Sequence, residues 1–268
     1  MRARWIAVLL ICGCILSATS AVASPVAVRH REGVLHGFLV LSSLDGVPLA
    51  EGDLTQSPHG DQITSRLTYH FKDGSLQDET VVFSERGNFR LITYHLVQKG
   101  PAFQRATEIL IAASGQVTVR YTDDDGKEKT IAEHLKLPPD LANGLVPVLL
   151  KNLGDEPAPL EVSLLVATPK PRLVKLAING EGKEPFSLAG VGREALRYSI
   201  KVQIGGIAGV VAPLLGKQPP DSHVWILEGE APAFVKSESL SYMGGPMWRT
   251  ELLAPTWPSE KDQAAAKR

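Results

Sequence analysis

Cysteine is nearly absent from this chain of 268 residues, which has only Cys12 and Cys14. Both lie within residues 1–23, where a positively charged start is followed by an apolar run and then by small residues. This order is typical of a secretory signal peptide. Cleavage after Ala23 would leave a mature chain without disulfides, thiolate nucleophiles or cysteine metal ligands.

The same segment has two alternative interpretations. Residues 11–14 distantly resemble a lipobox, in which Cys14 would carry a lipid anchor, but the apolar run continues beyond that position to the better cleavage site. The run is also shorter than the ~20 residues that a membrane-spanning helix needs. We therefore expect a periplasmic or secreted protein without an integral membrane span, with lipid anchoring at Cys14 as the lesser alternative.

A strong charge of either sign is also lacking. The chain has 28 basic and 29 acidic residues, and the basic ones are scattered rather than clustered among aromatics. Nucleic acid is therefore not an expected partner. Because 44% of the residues are hydrophobic, the chain can bury a sizeable core, which excludes wholesale disorder.

Motifs that carry catalysis or bind metals are missing. There is no GxSxG nucleophile elbow, no SxxK and no glycine-rich phosphate loop, and the seven histidines show no metal-ligand spacing. The acidic run 123–126 begins like a calcium loop but lacks its closing acid and lies at a predicted hairpin tip. We expect a protein that is not an enzyme and has no cofactor or metal, with a hydrolase site invisible to sequence as the alternative.

Alternating apolar and polar residues dominate what the chain does contain. The clearest runs are 63–71 and 194–204, where every second residue is apolar, as in a half-buried strand. The 24 glycines and 19 prolines separate about a dozen such runs, at the spacing of an antiparallel β protein. We expect one β-rich domain over 24–254 and a flexible polar tail over 255–268.

Three stretches allow finer predictions. Residues 54–61 are expected to form a loop, because Ser57, Pro58 and Gly60 lie there. Residues 105–113 fit helix or strand, and the hairpin that follows favours strand. Residues 179–182 are expected to turn the chain between two strands, and the apolar run 207–215 to form a buried strand or a helical turn.

A segment near the middle of the chain breaks the β pattern. Pro138 and Pro139 end a strand, and a helix is expected over 139–152, in two short turns or with a kink at Asn143-Gly144 and Pro147. Leu141, Leu145, Val148 and Leu149 share one face at helical spacing. The predicted fold is mainly β: a large curved antiparallel sheet, as a half-barrel or open barrel, with this one short helix packed on it. A β-sandwich is the alternative.

Aromatic residues make up only 6% of the chain and concentrate near its C-terminal end. Trp225, Phe234, Tyr242 and Trp248 either cap the core or line an apolar cleft, and Arg249 could add a cation–π contact or hold an anion. Together with the helix face, these five residues are the predicted lining of a ligand cavity.

The layout resembles a known type of protein. An exported antiparallel β chain with an LPPDLANG helical insertion at 137–144 and a tryptophan-containing end is similar to periplasmic lipoprotein-carrier and lipocalin-like half-barrels. The resemblance implies binding or carriage of an apolar ligand such as a lipid between sheet and helix. A structural or protein-interaction module of the envelope is the alternative.

Overall fold

A computed structural model describes residues 25–154, 157–167, 169–188, 190–203, 219–253 and 255–256 of the chain. The described part forms one sheet of fifteen strands and a single α-helix of five residues, α1 (Val146–Leu150). The predicted mainly β fold with one short helix is confirmed. The predicted signal peptide and the run 207–215 lie outside the described residues. Within the described ranges, no helix has the length and apolar character to cross a membrane.

The strands are β1 (Leu35–Ser43), β2 (Pro48–His59), β3 (Gln62–Phe71), β4 (Leu76–Ser84), β5 (Arg90–Lys99), β6 (Thr107–Ile111), β7 (Gln116–Thr122), β8 (Glu128–His134), β9 (Leu160–Ala167), β10 (Pro171–Leu188), β11 (Val191–Gln203), β12 (Ser222–Leu227), β13 (Ala233–Leu240), β14 (Met247–Leu252) and β15 (Pro255–Thr256). The expected polar tail thus begins with the short strand β15.

The sheet is antiparallel throughout and does not close. β1 to β8 pair in chain order, and β14 pairs with β1, so the order across the sheet is β15-β10-β11-β12-β13-β14-β1-β2-β3-β4-β5-β6-β7-β8. Among the described strands, β9 pairs with β10 alone. In the described ranges β8 and β9 do not pair with each other, so the curved sheet has the predicted open-barrel form and the sandwich is not adopted.

The predicted loop over 54–61 is wrong, because β2 continues to His59 and the turn is shortened to Gly60 and Asp61. Leu54 and Gln56 keep the alternation of β2 on its buried side. Pro58 is tolerated because β1 begins at Leu35, opposite Gln56, so the proline lies beyond the ladder that β1 and β2 share.

The predicted turn over 179–182 is also wrong. β10 runs through this stretch for 18 residues and pairs with β11 on both sides of it. A bulge between Gly180 and Gly182 absorbs one extra residue, which changes the face toward which the following side chains point.

The inner, concave face of the sheet carries two apolar clusters. The larger one joins residues of β3 to β7 and β9 to β12 with the segment around α1, including Ile63, Phe83, Ile111, Leu145 and Tyr198. The smaller one joins β1, β2, β3 and β14 around an aromatic group. The outer face of β2 to β7 is mainly polar, which is the pattern expected of an antiparallel sheet with one buried side.

Candidate functional site

The segment that was predicted to be helical over 139–152 contains less helix than expected. α1 covers only Val146–Leu150, and residues 139–145 form two turns with a β-bridge at Leu141 between them. Pro147 lies in the first helical turn, where a missing N–H costs nothing, so this proline starts the helix instead of kinking it. The prediction of two short turns is closer to the structure than that of one kinked helix.

The turns before α1 cover the free edge of β9. Leu141 forms a parallel bridge with Ser163, and the amide of Ala142 donates to the Ser163 carbonyl at 2.8 Å. The side-chain amide of Asn143 makes the two hydrogen bonds that a neighbouring strand would make. It accepts from the Leu165 amide at 2.9 Å and donates to the Leu165 carbonyl at 2.8 Å. These contacts occupy backbone groups that an exposed edge would leave open.

A buried ion pair supports this contact. The Asp140 carboxylate accepts from the Ser163 hydroxyl at 3.0 Å and lies 3.1 Å from the Lys175 ammonium. The Asp140 side chain is 2% exposed. The carboxylate is therefore both paired and hydrogen-bonded, which is the condition under which burial of a charge is tolerated.

The predicted cavity under the helix is filled in the structure. Leu141, Leu145, Val148 and Leu149 are all buried in the larger cluster. The space beside them measures about 10 Å³, whereas a single water needs about 10–15 Å³. Among the described residues, these four side chains are part of the core between the two halves of the sheet, and the space beside them is too small for a lipid.

An aromatic group at the other end of the concave face has more room beside it. The ring of Phe71 lies 5.3 Å from that of Trp248 and 5.4 Å from that of Phe103. Phe103 also lies 5.8 Å from Trp248 and 6.2 Å from Tyr242. Tilted and edge-on rings at these separations stabilise one another.

A cleft of about 240 Å³ opens beside these rings. Its lining consists of Pro48, Leu49, Phe71, Lys72, Asp73, Ala102 and Trp248. We call it the aromatic cleft. The β3–β4 and β5–β6 turns are held together at its rim, because the Ser75 hydroxyl accepts from the Ala102 amide at 2.8 Å.

The structure divides the predicted C-terminal site residues. Trp248 lines the aromatic cleft, Tyr242 packs on its aromatic group, and Phe234 packs against both inner clusters. Trp225 points away from the concave face, on the other side of β12, and lies in a separate buried group with Phe186, Ala195 and Val235. Arg249 also faces away from Trp248 and pairs with Glu238 at 2.9 Å. Period-two alternation explains these placements.

Trp225 has a specific role on its own face. The Lys236 ammonium lies 3.8 Å from the centre of the indole ring, and the indole N–H donates to Glu184 at 2.7 Å. A bulge in β13 places Val235 and Lys236 side by side here. Burial lowers the pKa of Lys236. The cation–π contact and the packing account for the tryptophan without any ligand.

Sequence reasoning missed Phe71, Leu49 and Ala102 in the lining of the cleft, and Phe103 in the aromatic group beside it. Phe71 is the last apolar residue of the clear alternation in β3, and the other three come from or adjoin turns. Only the pairing of β14 with β1 brings Trp248 to these residues, and no local pattern specifies that pairing.

Tyr69 separates the aromatic cleft from the rest of the concave face. Its ring lies against Gly52, where a Cβ would overlap with the ring, and its hydroxyl lies 2.9 Å from the Thr250 hydroxyl. Burial raises the pKa of Tyr69, so the phenol stays neutral near physiological pH.

The described residues contain no group of three or more His, Cys, Asp or Glu that could hold a metal ion. Three histidines lie near carboxylates: His36 near Asp53, His95 near Glu108 and His223 near Glu181. None of these pairs is among the residues that line the aromatic cleft.

Comparison with known proteins adds little to this geometry. No family model matches the sequence, and no curated protein matches it. A solved structure described as a β-barrel-like protein of domain of unknown function DUF1849, from Brucella abortus, is similar, with a TM-score of 0.42 and 8% identity. The match covers 85% of this chain and 100% of that one. Its description names a fold and no activity, so the function has to be argued from the residues of this chain.

Proposed function

We propose that this is an exported, non-catalytic protein of the cell envelope that binds an apolar group in the aromatic cleft. The observation that carries the proposal is the contrast between the two concave regions. The space beside the helix is closed to about 10 Å³, whereas the cleft beside Phe71 and Trp248 offers about 240 Å³.

The cleft is suited to a small apolar group or to one end of an acyl chain. Its volume is just below the range of about 300–1,000 Å³ that holds drug-sized ligands. Its walls are aromatic and aliphatic, and Lys72 and Asp73 place polar groups beside them. A rigid aromatic wall binds apolar surface with little loss of side-chain entropy.

Apolar residues on the outer face favour a second function, that of an interaction module. Phe38 and Leu253 are 55% and 63% exposed, and the Leu253 amide donates to the Phe38 carbonyl, so the two are neighbours. Val34, at 84% exposure, lies close by along the chain. Exposed apolar residues in one patch are a common feature of protein-contacting surfaces.

The cleft can be tested by filling it. Ala102→Leu adds three carbon atoms at the cleft wall and leaves the aromatic group intact, so we expect the affinity for an anilinonaphthalene dye to fall about tenfold, or about 1.4 kcal/mol. Dye fluorescence, with displacement by dodecanol, measures the change. The matched control is Ala132→Leu on the exposed side of β8, which should leave binding unchanged. Equal dye affinity for both variants and the wild type would exclude the cleft.

A further inference from the structure

A row of four aliphatic residues and one glutamate crosses the concave face below the aromatic cleft. Strand register places its members opposite one another, from Leu54 to Leu67, Glu79, Leu96 and Ile109 on β2 to β6. All five are half-buried although they lie within their strands and share the inner face. We call this set the Glu79 row.

Several neighbouring residues on the same face are more deeply buried. Tyr69 and Gln98 on one side of the row, and Val81, Tyr94 and Ile111 on the other, are each less than 9% exposed. Ser65, Gln77 and Thr107 on this face are half-buried like the Glu79 row, so solvent reaches this part of the concave face between the more deeply buried side chains. The Tyr69–Thr250 hydrogen bond separates this groove from the aromatic cleft.

Glu79 is the one ionisable residue of the row, and it has one direct partner. The Tyr94 hydroxyl donates to Oε1 of Glu79 at 2.8 Å. Among the described residues no Lys, Arg or His forms an ion pair with this carboxylate, and its other oxygen, Oε2, accepts no hydrogen bond from them. Burial raises the pKa of Glu79.

This arrangement is costly for a purely structural residue. A half-buried carboxylate among leucines is only partly solvated and gains no countercharge from the described residues, whereas a glutamine would keep the Tyr94 bond without a charge. A ligand cation would supply the missing countercharge, and the aliphatic neighbours would contact an attached hydrocarbon chain.

We propose that the Glu79 row is a second binding site, for an amphiphile with an ammonium head and an aliphatic tail. The ammonium pairs with Oε2 of Glu79, and the tail lies along Leu54, Leu67 and Leu96. A fatty acid is disfavoured because its carboxylate would meet that of Glu79. An alcohol of the same chain length makes the apolar contacts but leaves the charge unpaired.

The test compares dodecylamine, dodecanol and laurate below their micelle concentrations by isothermal titration at pH 8. We expect the wild type to bind dodecylamine about tenfold more tightly than dodecanol, and laurate most weakly. Glu79→Gln should reduce dodecylamine binding to the level of dodecanol and leave dodecanol unchanged. Equal affinities for amine and alcohol, or an unchanged preference in Glu79→Gln, would overturn the proposal.

The pH dependence gives a second readout. Two titratable groups of the described residues interact with Glu79, Tyr94 and Tyr69, and burial raises the pKa of both, so they stay neutral below pH 8. Among these three interacting groups, Glu79 is then the one that changes charge. Dodecylamine affinity should rise from pH 5 to pH 8, dodecanol affinity should stay flat, and a flat amine profile would count against the site.

Two further variants separate this site from folding and from the aromatic cleft. Leu96→Lys places an ammonium beside Glu79 and should abolish the preference for dodecylamine while the carboxylate is kept. Ala102→Leu should leave dodecylamine binding intact although it blocks dye binding in the cleft. Loss of amine binding in Ala102→Leu, or its retention in Leu96→Lys, would contradict a separate Glu79 site.

Discussion

Gly144→Ala is expected to lower the free energy of unfolding by about 2–5 kcal/mol. Gly144 has a φ of 67°, in the left-handed region, and a Cβ there would overlap with Cγ2 of Val81. The substitution therefore strains the backbone and also pushes into a packed contact between the segment before α1 and β4. Urea denaturation followed by circular dichroism measures the change.

A matched glycine separates the two causes. Gly46 has a φ of 88°, and a Cβ there would meet nothing within 4 Å. Gly46→Ala should therefore cost only the backbone strain, about 1–2 kcal/mol. If the two alanine variants were destabilised equally, the close contact of Gly144 with Val81 would contribute nothing to stability.

Period-two alternation predicted the strands well because it reports which side chains face the core. The run over 63–71 is β3, and residues 105–113, which fit two structures by pattern, contain β6 (Thr107–Ile111). Alternation specifies the two faces of a strand, and turn residues specify its ends. Both signals are local, so one sequence is enough to read them.

Predictions failed where tertiary pairing outweighs a local signal. Pro58 and Gly60 indicated a loop, but β2 continues because its pairing with β3 extends to His59. Gly180 and Gly182 indicated a turn, but a bulge accommodates them within β10. Glycine and proline mark places where a strand can be interrupted, and the neighbouring strands decide whether it is.

The site was harder to predict than the fold. The four residues predicted to share a helix face are buried in one cluster, although only Val148 and Leu149 lie in α1. Whether such residues fill the core or line a cavity depends on volumes that the sequence does not contain. Trp225 and Trp248 are equally prominent in the sequence, yet they lie on different faces and only Trp248 lines the aromatic cleft. The face toward which each tryptophan points depends on its odd or even position along the strand and on the register of that strand with its neighbours.

The segment around α1 therefore has a structural role, and a binding site has to lie in another part of the concave face. It covers the edge of β9 and fills the larger core, so it is a fixed part of the wall. The open regions of the concave face, the aromatic cleft and the Glu79 row, lie on the β1–β6 side. Ligand binding can thus be altered there without disturbing the segment that joins the two halves of the sheet.

Asn143→Ala should test that joining role with a cost of about 2–5 kcal/mol, because both backbone groups of Leu165 lose their partner and stay buried. Asn143 is 5% exposed and makes both bonds through one amide. The matched control, Asn179→Ala on the exposed surface of β10, should change stability by less than about 0.5 kcal/mol.

Asn143→Asp distinguishes the donor bond from the acceptor bond at this position. An ionised Asp accepts from the Leu165 amide but repels the Leu165 carbonyl, whereas a protonated Asp can restore both contacts. Because the folded state favours the protonated form, the pKa of the introduced carboxyl rises on folding. Stability relative to wild type should therefore be greatest below about pH 4 and fall as the pH rises. Hydrogen exchange at the Leu165 amide reports the contact directly, and full protection of that amide in Asn143→Ala would show that the side chain does not hold the edge of β9.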